Sequence, residues 1–366
     1  MSHTVISRLL SIILFISAVA VCQLPPASPT TPALGADVSV AELTKMAQAG
    51  DAEAQFALGR AYETGKGVPQ NDDRAFIWYQ KAAEQGLAKA QVQVGIMYRN
   101  GQGIEKNLIE SLKWYRLAAR QNSAAALFNL AAAYYNGDGV GVDDSEAYTF
   151  FLLARDAGSV AAEDGIRRLG VKMSAFDNDA TYVHIGDMYA NGEVLARDGA
   201  QAAKWYQKAL EHHDPVAQLK MASLYDTGNG VPLDHAKAMM LCEAAAQKKF
   251  APGQRCLAFH YQQGLGISQD LSRAVKIYKS AADAGDLGSM YLLGQMYWHG
   301  EGMKPDKVTA FQYLLLADNF KDPGVERDLA KLESEMTADE IKHGTNKARE
   351  WATKHTIMTG MSVRKQ

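Results

Sequence analysis

Neither charge sign dominates this chain. Its 38 Lys and Arg stand against 41 Asp and Glu, interleaved, for a formal net charge of −3. Nothing in that balance favours a nucleic-acid backbone or an anionic membrane, so no nucleic-acid partner is expected. A long apolar run is missing too: the stretch from Leu9 to Val21 covers only 13 residues, too few to cross a hydrocarbon layer of about 30 Å. Chemistry-bearing patterns are equally scarce. No glycine-rich turn has the preceding strand and the following Lys-Ser or Lys-Thr of a phosphate loop, so no nucleotide or other cofactor is expected. His212, His213 and His299 lack partners at metal-ligand spacing, which predicts no metal, and no Ser, His and Asp arrangement stands out. Cysteine is nearly absent, at three residues: Cys22, Cys242 and Cys256.

The N-terminal apolar run has its own logic. Arg8 precedes it and Ala18-Val19-Ala20 follows within it, the order of a signal peptide with small residues before the cleavage point. Residues 1–21 are read as that peptide, cut after Ala20, which predicts a periplasmic or secreted protein with no membrane span in the mature chain. A minor reading is a lipid anchor at Cys22, because Val19-Ala20-Val21-Cys22 resembles a lipoprotein box, although Val21 is bulky where a small residue is usual. Residues 22–38 form a Pro-rich linker.

What the chain does have is a period. A Tyr sits three residues ahead of a Gly turn seven times, with the first Gly at 65, 101, 137, 192, 228, 264 and 300. All the intervals are 36 except one of 55. Such a period marks stacked supersecondary units, each too small to bury its own apolar face. Within the first unit, apolar residues at 54, 58, 61 and 62 share one helical face and those at 75, 78, 79, 82 and 83 share another, so each unit is an antiparallel helix pair. Small residues at Gly59, Gly95, Ala131, Gly186, Ala222, Ala258 and Gly294 let the paired helices approach closely. Asn71, Asn107, Asp143, Asp198, Asp234, Asp270 and Asp306 are N-caps, each worth roughly 1 kcal/mol. The second helices end at Gly86, Asn122, Gly158, His213, Lys249, Gly285 and Lys321. Gly192-Glu193-Val194 lacks the second Gly and predicts a looser fourth turn.

The 55-residue interval is one period plus 19. Ile166-Arg167-Arg168-Leu169 followed by Met173-Ser174-Ala175 aligns, at an offset of 163, with Leu329-Ala330-Lys331-Leu332 followed by Met336-Thr337-Ala338. The chain therefore reads as two blocks, each with a terminator. Residues 39–162 carry a half-repeat cap and three repeats, 163–180 the first terminator, 181–321 four repeats, and 322–366 the C-terminal capping helices and a tail. A change in the direction of the array is expected near 160–180. Ser39 to Glu42 predicts a capping box at the start of the half-repeat, and Ser174 with Asp177 and Thr337 with Glu340 predict two more helix starts.

The Leu-Gly-x-x-Tyr, Gly-x-Gly-Val and Trp-Tyr-x-x-Ala-Ala stretches, at 58–62, 65–68 and 78–83 in the first copy, resemble the Sel-one-like repeat family, a relative of the tetratricopeptide repeat, over about 50–320. The resemblance implies an all-α, right-handed superhelical solenoid with a concave groove. It also implies a scaffold or adaptor rather than an enzyme, often in a bacterial envelope or at a host interface. Individual copies drift, with Phe150-Phe151, Leu241-Cys242 and Tyr313-Leu314 in place of Trp-Tyr.

Cys242 and Cys256 each lie seven residues from the turn at Lys249, so antiparallel packing puts them at one level. Oxidised, they would close a loop worth about 3 kcal/mol; reduced, they are two buried thiols at small core positions. A cysteine-rich branch of the same family, for which penicillin binding or hydrolysis has been proposed, gives the competing expectation, an enzyme acting on β-lactam or cell-wall substrates. That branch pairs cysteines in most repeats, whereas this chain has one candidate pair.

Recognition falls to positions the repeat leaves free, those equivalent to 60 and 63. These are Arg60, Glu63, Arg99, Tyr135, Asp187, Asp226, Phe259, Gln262 and Trp298. Tyr135, Phe259 and Trp298 are large apolar groups the repeat does not demand, hence candidate anchors for a protein or peptide partner. The alternative is that neighbouring units or the terminators cover them.

Overall fold

The computed structural model describes residues 39–318 and 322–355. The signal peptide, Cys22, the 22–38 linker, Lys321 and the tail from Thr356 lie outside the described residues. Among the described residues are eighteen α-helices and no strand. After α1 (Val40–Gln48) come α2 (Ala52–Thr64), α3 (Asp72–Glu84), α4 (Ala88–Asn100), α5 (Leu108–Ala119), α6 (Ala124–Asn136) and α7 (Asp144–Asp156). The middle holds α8 (Ala162–Gly170), α9 (Ala175–Asn191) and α10 (Gly199–Leu210). Then follow α11 (Pro215–Thr227), α12 (His235–Gln247), α13 (Ala251–Gln263), α14 (Leu271–Asp283), α15 (Leu287–His299) and α16 (Lys307–Ala317), with α17 (Pro323–Ser334) and α18 (Ala338–Lys354) last. Two compact units result, one ending at Asp198 and one beginning at Gly199. Six of the seven repeats lie whole within a unit.

Turn chemistry starts and stops these helices where the period predicts. Asn71, Asn107, Asp143, Asp234, Asp270 and Asp306 each accept from a backbone amide in the first turn of the second helix, satisfying donors the helix itself leaves unpaired. The residues past the second helices are left-handed even where they are not glycine: Asn122 at φ 57°, His213 at 60° and Lys249 at 58°. The second Gly of the turn has a separate reason. A Cβ on Gly103 would lie 2.2 Å from the Asp72 carbonyl oxygen, and one on Gly266 2.4 Å from that of His235, so this corner touches the start of the preceding repeat's second helix. Val194 takes no left-handed conformation.

Paired helices close on the small residues. A Cβ on Gly59 would meet the Tyr79 ring at 2.8 Å, and one on Gly95 the Tyr115 ring at 2.5 Å. Successive repeats are joined by a polar clasp that the periodic apolar pattern does not reveal. Gln55 Nε2 donates to the Ala47 carbonyl (3.1 Å) and Gln55 Oε1 accepts from Gln85 Nε2 (2.7 Å). One period on, Gln91 Nε2 donates to Ala83 (3.2 Å) and Gln91 Oε1 accepts from Gln121 Nε2 (2.9 Å). Each clasp satisfies polar groups that burial would otherwise strand.

The two terminators are alike in local structure. Both α9 and α18 have 17 residues and begin with a reciprocal capping box, Ser174 with Asp177 and Thr337 with Glu340. At α1, Ser39 accepts from the Glu42 amide at 3.2 Å. In the first unit, α8 packs on α7 with Gly165 against the Phe151 ring. The segment that continues as α9 also supplies the first helix of the fourth repeat, through Tyr189 and Gly192. In the second unit, buried residues run continuously from Ala222 through Tyr278 and Leu314 to Trp351 of α18.

Candidate functional site

Residues at the position equivalent to 63 face inward more than their variability suggests. Glu63 accepts from the phenol of Tyr79 at 2.5 Å. Burial first, and then the Glu63 charge, holds that phenol well above its ordinary value, so it remains a donor. Gln262 does the same work five repeats on, accepting from Tyr278 at 2.9 Å while its amide donates to Glu301 at 3.0 Å. Arg99 donates to Asn129 of the next repeat at 3.3 Å. Trp298 is 8% exposed, with its indole N–H on Glu335 at 3.2 Å and the Lys331 ammonium over its ring.

Several of the candidate side chains thus also bond within the fold. Glu63, Arg99, Gln262 and Trp298 serve joints within and between repeats, and the C-terminal capping segment covers Trp298. The reason is reach: the last turn of a first helix lies beside both its own second helix and the next repeat. Tyr135 and Asp187 are half-buried, on α6 and α9. Arg60 is exposed on α2, and Phe259, 40% exposed on α13, is the only exposed aromatic among the described side chains.

Phe259 borders a groove of about 430 Å³ in the second unit, lined by Leu219, Asp226, Arg255, Cys256 and Leu292 among others. Its walls are the first helices of three consecutive repeats, α11, α13 and α15. Arg255 is part of the lining, with its Nε 3.6 Å from Asp286. Asp226 bridges two histidines: one carboxylate oxygen lies 2.9 Å from His235 Nδ1, the other 3.2 Å from His260 Nε2.

Beneath this groove Cys242 and Cys256 meet at one level, as their equal spacing from Lys249 predicts. Their Cα atoms are 5.5 Å apart and their sulfurs at bonding distance. His260, fully buried beside them, was not among the sequence candidates. The signal was available in the alignment: the equivalent position holds Ala61, Met97, Ala133, Met188, Leu224 and Met296 in the other repeats. A histidine in that series breaks an apolar column.

Comparison with known proteins agrees with the repeat. Against the curated proteins no significant match is found. Among solved structures, c5321, a protective antigen of uropathogenic Escherichia coli strains that displays an SLR fold, is 22% identical. That alignment covers 90% of this chain and 99% of that one, with a TM-score of 0.34. A Sel1 repeat protein from Oxalobacter formigenes is 26% identical, covering 80% of this chain and 79% of that one, with a TM-score of 0.39. The sequence model of the Sel1 repeat matches residues 52–87, 88–123, 124–159, 182–214, 215–250, 251–286 and 288–317. With those seven matches covering more than half of its length, the chain belongs to the Sel1 repeat family, whose fold generally serves protein–protein interaction.

Proposed function

We propose that this protein is an exported scaffold that holds a segment of a partner protein along the first helices of its fifth to seventh repeats. The observation that carries the reading is Phe259. A large aromatic ring at a position where the repeat requires none stands exposed beside a groove with apolar walls at Leu219 and Leu292 and charges at Asp226 and Arg255. Aromatic anchors in such settings carry a disproportionate share of binding energy. Export is supported by the order of Arg8, the apolar run and Ala18-Val19-Ala20, with the Cys22 lipid anchor as the variant form of the same route.

A photo-cross-linking residue placed at 259 tests the groove, with Ile77, exposed on the second helix α3, as the control position. Cross-linking in intact cells is expected at 259 and not at 77. Equal yields at both positions, or none at 259, would count against the groove. N-terminal sequencing of the mature chain tests export; a start at Met1 would refute it.

A further inference from the structure

Cys242 and His260 depart from the repeat, and Cys256 stands at a position the repeat leaves free. Cys242 stands where Tyr79, Tyr115, Phe151, Tyr206, Tyr278 and Leu314 stand in the others, and Cys256 where Ala57, Gln93, Asn129, His184, Lys220 and Leu292 do. The two departures and the variable position fall in one place. One ligand atom from each of the three lies within 4.8 Å of the other two. Cys256 and His260 are four residues apart on α13 and so share a face, while Cys242 comes from α12.

The histidine is oriented as a ligand would be. Its Nδ1 is 2.9 Å from the Leu265 carbonyl; a carbonyl only accepts, so Nδ1 carries a proton and Nε2 is the nitrogen that faces an ion, any proton it shares with Asp226 being displaced on binding. Nε2 lies 3.2 Å from Asp226, whose other oxygen is steadied by His235 at 2.9 Å. A tetrahedral zinc ion, with bonds of about 2.3 Å to sulfur and about 2.0 Å to nitrogen or oxygen, needs ligand atoms roughly 3.3–3.8 Å apart. The His260 to Asp226 edge is close to that value; the two sulfurs, at bonding distance here, must move apart to about 3.8 Å once they are thiols. The groove beside Cys256 and Asp226 gives an ion access from solvent.

We infer that, with both cysteines as thiols, Cys242, Cys256 and His260 bind Zn²⁺, with the Asp226 carboxylate as the fourth donor. The step is a proton exchange. Each thiol gives its proton to solvent as its sulfur bonds the metal, any proton between His260 Nε2 and Asp226 leaves with them, and no electron moves. The chain is synthesised with these residues as thiols, so metal binding and disulfide formation are competing fates of one pair. Two thiolates, an imidazole and a carboxylate in tetrahedral array suit zinc rather than the hard cations magnesium and calcium.

The test uses the folded full-length chain carrying Cys22→Ser, reduced with a phosphine and titrated anaerobically with Co²⁺. Expected are a thiolate-to-cobalt charge-transfer band and the intense visible bands of a tetrahedral ion, saturating at one equivalent, displaced by Zn²⁺, with both thiols protected from alkylation. Cys242→Ser should abolish the charge-transfer band, and Asp226→Asn should weaken binding about 10-fold or more. If Cys242→Ser disturbs the core, Cys256→Ser at the groove edge gives the same reading. The inference is overturned if the folded chain shows two free thiols and no charge-transfer band, if the band survives both serine variants, or if the pair stays bridged under the reductant. None of these outcomes bears on whether position 259 cross-links to a partner.

Discussion

The glutamine clasp makes a single substitution informative. Gln218 occupies the clasp position in the fifth repeat and is buried, yet its Oε1 has no hydrogen-bond partner. The residue that would donate, at the place of Gln85 and Gln121, is Lys248, whose ammonium goes instead to the His213 carbonyl. Gln121 makes the matching carbonyl bond, to Gly86 at 2.9 Å, and the glutamine bond as well. Lys248→Gln is therefore expected to keep the first and add the second, raising stability by about 0.5–1.5 kcal/mol; urea denaturation would measure it, and a loss would mean the lysine's charge matters more. The opposite sign is expected at Gly95, where a Cβ would overlap the Tyr115 ring at 2.5 Å. Two packed helices cannot part there without disturbing both neighbours, so Gly95→Ala should cost about 1–3 kcal/mol, read from the same denaturation midpoint.

At the scale of elements, α9 is tied to α7 by an ionisable contact. His184 Nε2 lies 3.0 Å from Glu146, and that hydrogen bond, against a lowering by burial, holds the imidazole above its ordinary value. A raised histidine stabilises the fold fully below its unfolded pKa, and the contribution is lost as pH rises through the folded value. The gap in stability between the parent and Glu146→Gln should thus be present at acid pH and close as the pH rises through the raised histidine value, and it should be small because the pair is partly exposed. An NMR titration of His184 checks the cause: its pKa should fall in Glu146→Gln. Elements of this kind also mark how far sequence alone reaches. Helix pairs, turns and caps were legible because period repeats the same local chemistry, down to the 163-residue offset between α9 and α18. The free positions were not, because Trp298 meets Glu335, 37 residues away and outside any repeat. His260 escaped notice for a related reason: its value depends on Cys242 across a turn and Asp226 one repeat earlier, and no spacing within a single helix displays that.

An array of stacked pairs ends in an apolar face, and the two ends of this chain are closed to different degrees. At the start, α1 buries only Leu43 and Ala47 among its own residues. At the finish, every residue of α16 from Thr309 to Ala317 is buried. The C-terminal cover is bonded as well as packed: Asp328 accepts from Tyr291 at 2.8 Å, Lys347 donates to Thr309 at 2.9 Å, and Trp351 donates to Asp283 at 3.3 Å. Exposing the larger apolar side chains of α16, among them Phe311, Tyr313, Leu314, Leu315 and Leu316, would cost on the order of 10 kcal/mol at 1.5–3 kcal/mol each, comparable with the whole stability of a domain. Removing residues from Asp322 onward should therefore abolish cooperative unfolding of the second unit and drive concentration-dependent association by light scattering. Removing residues up to Gly50 should lower the thermal midpoint by only a few degrees. Equal tolerance of both truncations would show that α17 and α18 are an appendage rather than a lid on the core, and the seventh repeat would then have to be stable with its apolar face in water.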